Sequence, residues 1–107
     1  MLTLKNKVVV HIPHKAWEDG KFVEINYVQA REDLIQKLTN SGVGGFYVVE
    51  CTGYYKNRSY KEDLLTFFYN RKNNEQENII KNWIEQNKTI LKQECFAVEI
   101  DGKLFIQ

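Results

Sequence analysis

The residues best equipped for chemistry lie between Thr52 and Lys61, where Tyr54, Tyr55, Lys56, Arg58, Tyr60 and Lys61 interleave aromatic rings with cations. A ring stacks on a base and a guanidinium fork grips a phosphate, so these residue types are what a nucleotide-like anion requires. Thr52, and Gln93 from further along the chain, would add hydrogen bonds. The competing explanation is a solvated hairpin tip whose tyrosines pair across two strands. An RNA-recognition sheet is disfavoured, because the run from Leu64 to Asn70 lacks the glycine-bearing aromatic pattern that presents rings to bases on that fold.

His11 and His14 are separated by Ile12 and Pro13. In an extended chain that spacing points them to opposite sides, and neither cysteine sits at a ligand spacing, so no metal site is assigned. His11 alone titrates near neutrality and could act as a general base, with Trp17 or Tyr27 closing an apolar cavity over it. A satisfied strand histidine is the plainer alternative. Cys51 and Cys95 each stand alone in strand-like runs and read as small buried hydrophobes with free thiols. Gly42-Val43-Gly44-Gly45 follows a helix where a phosphate loop would precede one, which makes it a helix stop and a link. Glu50, Glu62, Glu94 and Glu99 offer carboxylates whose separation chain order does not set. No catalytic set emerges, and no cofactor is implied.

The elements that must position these residues are legible from periodicity. Lys7 to Ile12 carries the continuous apolar run of a central strand, which Pro13 ends. Asp19-Gly20 is a turn signal, and Phe22 to Ile25 reads as a short strand or extended loop. Asn26 with Gln29 resembles a capping box, and Ala30, Leu34, Ile35 and Leu38 recur at helical spacing until Gly42, predicting a helix over Tyr27 to Ser41. Phe46 to Asn70 reads as a hairpin of two strands around Lys56-Asn57-Arg58-Ser59. Asn74 with Glu77 repeats the capping pattern before a second helix with the stripe Ile79, Ile80, Trp83, Ile84, Ile90 and Leu91. Gln93 to Ile100 predicts a strand, and Asp101-Gly102 turns the chain into a last strand over Lys103 to Gln107.

That order is βαββαβ, the split βαβ arrangement of an α+β ferredoxin-like domain, with an extra C-terminal hairpin strand and one domain spanning residues 1–107. Its two helices cover one face of the sheet. Leu64, Leu65, Phe67, Phe68 and Tyr69 place apolar groups on both faces, so the open face should meet a second subunit or a ligand.

A net charge of +1 with interspersed signs argues against a protein that binds duplex nucleic acid. Without a signal-like or membrane-spanning segment, a cytoplasmic protein with reduced thiols is expected. Lysine outnumbers arginine, asparagine is abundant and alanine scarce, a bias that favours A/T-rich codons and hints at a low-GC bacterium or a phage.

Gly53-x-Tyr55, the polar turn, Lys61-Glu62 opening an apolar strand, the amphipathic helix and Leu91-x-Gln93-Glu94 resemble a family of small uncharacterised bacterial ferredoxin-like proteins. More distantly they resemble PII-like proteins. That resemblance spans Gly45 to Ile100 and implies the fold and a tendency to oligomerise, with nucleotides bound between subunits in the PII-like case. It carries over no catalytic residue. The expectation is therefore a non-enzymatic homo-oligomer holding a small anionic ligand, a nucleotide or nucleotide-derived signal, at Thr52, Tyr54, Tyr55, Lys56, Arg58, Tyr60, Lys61 and Gln93; were the source a phage, it would act as a sponge for a host immune signal. The alternatives are a small dimeric enzyme, a cofactor-free monooxygenase or isomerase with His11 as base, and a protein-binding adaptor.

Overall fold

A computed structural model describes residues 3–107. Alternation along the first strand sets the layers. β1 (Asn6–Pro13) turns Val8, Val10 and Ile12 to one side and Val9 and His11 to the other. It pairs antiparallel with β5 (Arg58–Tyr69) and β6 (Ala97–Ile100), so Val10 stands opposite both Leu65 and Val98. With β4 (Gly45–Tyr55) beyond β5 and β7 (Lys103–Ile106) beyond β6, the sheet has the order β4-β5-β1-β6-β7. Without the β7 extension this is the strand order of the split βαβ fold, and the α+β ferredoxin-like expectation holds.

α1 (Tyr27–Asn40) and α2 (Glu75–Ile90) pack on the face that carries Val8, Val10, Ile12, Leu65 and Phe67. The Asn26 side chain accepts from the Gln29 backbone N–H, as a capping box requires. Asn74 makes no such bond. It adopts left-handed φ of 58°, a conformation Asn tolerates better than most residues, and α2 starts without the predicted side-chain cap. Trp83 is fully buried, its indole N–H donating to the Ala30 carbonyl at 2.8 Å and its ring edge-on to Phe96, so one residue ties α2 to α1 and to the approach to β6. Ile90, placed in the apolar stripe by spacing, is exposed because α2 ends there; Asn87 is buried instead and donates to the Trp83 carbonyl.

Among the described residues no helix lies over the other face of the sheet. Leu65, Phe67 and Tyr69 go under the helices, while Leu64 and Phe68 share the open face with the half-exposed Tyr47 and Val49. The undecided segment after Pro13 is a second hairpin, β2 (Lys15–Glu18) and β3 (Lys21–Glu24), joined at Asp19-Gly20, both with positive φ. The strand predicted over Gln93 to Ile100 is shorter than expected: Gln93 to Phe96 runs as irregular chain before β6 begins at Ala97. Among the described residues no helix is long and apolar enough to cross a membrane.

Candidate functional site

The β4–β5 hairpin turns in two residues, Lys56 and Asn57, whose φ values of 51° and 60° match a type I′ turn. The turn is tighter than the expected four residues, and it sets the register that decides which side chains share a face. Gly53 stands opposite Tyr60 and Cys51 opposite Glu62. Tyr60 and Glu62 therefore lie on the open side, next to His11 of β1.

Here the hairpin tip, the β2–β3 hairpin and the loop from Lys92 to Phe96 enclose a cavity of about 450 Å³. Tyr54, Tyr55, Lys56, Arg58, Tyr60 and Gln93 line it, so six of the eight expected ligand-binding residues converge. Tyr54 is 82% exposed, a ring left free to stack on an incoming group. Thr52 and Lys61 do not line the cavity. They pair with each other across the ladder on the other side of the hairpin, and Lys61 lies 3.8 Å from Glu50. Strand alternation separates them from Tyr55, Arg58 and Tyr60.

Other walls come from His11 and Trp17, which the enzyme alternative places together as base and cover, and from Glu62 and Cys95, which had no assigned place in a ligand site. His11 Nδ1 lies 3.1 Å from Glu62 Oε1, and its Nε2 lies 3.1 Å from Glu99 Oε2. The bond to Glu62 leads in raising the His11 pKa, burial opposes it, and Glu99 adds to the rise. The two carboxylates favour the protonated ring, and with His11 protonated the trio still carries a net negative charge. The separation of the glutamates, which chain order left open, is set by this one ring. Strand parity was the available signal: Tyr60 and Glu62 are two apart on one strand and must share a face.

A second histidine cluster positions the cavity wall. His14 points to the helix side, as the spacing from His11 required, and its Nε2 lies 2.8 Å from Asp63 Oδ1 while Arg31 Nη1 lies 2.7 Å from Asp63 Oδ2. The His14 ring stacks on Tyr27 with centroids 4.1 Å apart. Asp63 is nearly inaccessible, and its carboxylate is neutralised where β5, α1 and the start of the β2–β3 hairpin meet. The hairpin so anchored carries Trp17 into the cavity. His14, Glu50 and Asp63 bring potential ligand atoms within 4.8 Å of one another, but the Arg31 guanidinium already occupies Asp63 and opposes a metal ion.

Both cysteines are free, and neither is fully buried as expected. Cys51 lies beside Glu62, with Sγ 3.7 Å from Oε1; burial first and then that carboxylate push its pKa up, which keeps the thiol protonated.

No protein-family model and no curated protein matches the chain. Among solved structures, it is similar to a phage SAM lyase in complex with S-methyl-5′-thioadenosine. The TM-score is 0.70 and the identity 13%, over 100% of this chain and 94% of that one. The same kind of enzyme in its apo state aligns with a TM-score of 0.64 and 10% identity, again over 100% and 94%. At such identities the likeness establishes the fold, and the structures matched are of a phage enzyme rather than of PII-like proteins. The expectation of a non-enzymatic binding protein is corrected by this finding: the proteins that this chain matches end to end are lyases, and the small-enzyme alternative fits better.

Proposed function

We propose that the protein is a lyase acting on S-adenosylmethionine and releasing S-methyl-5′-thioadenosine. The observation that carries this reading is the cavity at the hairpin end, which combines aromatic rings with Glu62 and with His11, itself held by Glu99 from outside the cavity, in a fold matched over its full length to a phage SAM lyase. Tyr55, on the same face of the hairpin as Arg58, stacks on the adenine. Glu62 attracts the positive sulfonium, and Arg58 takes the carboxylate of the amino-acid arm. A cationic substrate thereby replaces the small anion expected from the tyrosine-rich segment.

In the reaction the bond between sulfur and Cγ of the amino-acid arm breaks, and its electron pair stays on sulfur as a neutral thioether. Without water, the carbon fragment closes in one of two ways. The substrate's own carboxylate bonds to Cγ to give a lactone, with no proton moved, or Cβ loses a proton to a base to give the isomeric alkene. Both ring nitrogens of His11 are engaged by carboxylates, which leaves neither free to take a proton from Cβ and favours ring closure. The role of His11 is then to hold Glu62 in place.

The enzyme works as a homo-oligomer joined through the open face of the sheet, where Tyr47, Val49, Leu64 and Phe68 form an uncovered apolar surface. The catalytic reading is tested by incubating the purified protein with S-adenosylmethionine and following S-methyl-5′-thioadenosine by chromatography. Accumulation well above the rate without enzyme is expected. No accumulation between pH 6 and 9, by fresh and correctly folded protein, overturns the reading.

A further inference from the structure

Arg58 occupies an unusual place. Its guanidinium carbon lies 4.4 Å from the centroid of the Trp17 ring and 6.0 Å from that of Tyr60, and its Nε donates to the Tyr60 hydroxyl at 2.9 Å. Phe22 closes the group from behind, edge-on to Trp17 at 4.9 Å and to Tyr60 at 5.4 Å. Among the described residues the partners of this cation are rings and a hydroxyl, none of them a carboxylate, although Glu62 lines the same cavity. Converging aromatic faces recognise a weakly hydrated, polarizable organic cation through their quadrupoles. Guanidinium is one such cation, and a trialkylsulfonium is another.

We infer that the Trp17–Tyr60 cage is a subsite for an organic cation, filled by Arg58 in the free protein, and that the substrate's sulfonium displaces Arg58 toward the substrate carboxylate. The identity of the cation rests on the lyase reading; the cage itself rests on ring geometry. One charge replaces another in the cage, so entry of the sulfonium creates no unpaired buried cation. Once the sulfur becomes a neutral thioether it no longer competes with Arg58, which returns to the rings and favours release of the product. The cavity thereby separates substrate from product by charge, although their adenosine parts are identical.

The probe is 5′-dimethylsulfonio-5′-deoxyadenosine, which keeps the nucleoside and the sulfonium but has no carboxylate for Arg58 to take. Calorimetric titration should show it binding Arg58→Ala about tenfold more tightly than the wild type, because the competing cation is gone. S-methyl-5′-thioadenosine should gain nothing from the same substitution, and S-adenosylmethionine should bind the variant more weakly through loss of its carboxylate contact. Trp17→Leu, at a residue exposed enough to be replaced without unfolding, should weaken the sulfonium probe about tenfold while leaving circular dichroism unchanged. Equal or weaker binding of the probe to Arg58→Ala, or no binding to either protein, overturns the cage. Release of S-methyl-5′-thioadenosine from S-adenosylmethionine by the wild type, measured in parallel, judges the lyase reading separately. Turnover without the Arg58→Ala gain sinks the cage alone; the gain without turnover sinks the lyase alone.

Discussion

Nδ1 of His11 lies 3.1 Å from Oε1 of Glu62, joining the central strand of the sheet to the hairpin strand that carries the cavity's tyrosine and arginine. The His11 pKa is raised above its ordinary value of 6.5, chiefly by that bond. A raised folded-state pKa means that the folded protein binds the proton more tightly than the unfolded chain. This contribution to stability is therefore fully present below pH 6.5 and is lost as pH rises through the folded-state value. Urea denaturation across that window should show wild-type stability falling with pH, and His11→Gln should flatten the slope. An unchanged slope in the variant would place the titration elsewhere.

Glu62 is also where a small change should separate binding from catalysis. The sulfonium charge fades as the carbon–sulfur bond breaks, so an attraction between Glu62 and that charge favours the bound substrate over the transition state. Glu62→Gln should raise KM about ten- to hundred-fold, the loss of a charge-assisted contact of roughly 1.5–3 kcal/mol, with a smaller effect on kcat. Gly53→Ala tests the same residue without altering charge: a Cβ there would meet Glu62 Oε1 at 2.9 Å and push the carboxylate off His11. Gly53 lacks positive φ and the clash is with the end of a flexible side chain, so the backbone should hold and any stability loss should be confined to the pH-dependent His11–Glu62 contribution, while KM rises. Steady-state kinetics on both variants checks the pattern, and a loss confined to kcat contradicts it.

Asp63 should matter for stability before it matters for activity. Asp63→Ala leaves Arg31 and His14 facing an empty, largely buried site. The cost should fall near the lower end of the roughly 3–5 kcal/mol typical of a broken buried pair, since Arg31 keeps some contact with solvent. Denaturant melts measure the loss. Trp17 rides on the hairpin that this cluster anchors, so its fluorescence should shift at denaturant concentrations below the global transition.

The open sheet face predicts assembly. Phe68 sits there beside Tyr47, with ring centroids 6.1 Å apart. Sedimentation velocity should find the wild type as a dimer or larger and Phe68→Asp as a monomer, because burying an unpaired carboxylate in an apolar interface is costly. A monomeric wild type at micromolar concentration would rule out this interface.

Much of the fold could be read from the chain because period and turn chemistry are local properties. Val8, Val10 and Ile12 alternate with Val9 and His11, Ala30, Leu34 and Leu38 recur at helical spacing, and Asp19-Gly20 and Asp101-Gly102 mark turns with positive φ. The same local rules kept His11 and His14 apart and concentrated tyrosines and cations near one hairpin tip. Local rules failed where neighbours in space decided the outcome. Asn74 lost its cap to a left-handed backbone, Ile90 fell at the exposed end of its helix, and Thr52 and Lys61 turned away from the other ligand-binding candidates once the two-residue turn set the register. The candidate site was the least legible part, because it joins β1, the β2–β3 hairpin, β5 and the segment before β6, which only folding brings together. The grip of His11 on Glu62 and Glu99, and the closing of Trp17 over Arg58, depend on strand order and on the Asp63 cluster that fixes the hairpin, and no spacing along the chain encodes either distance.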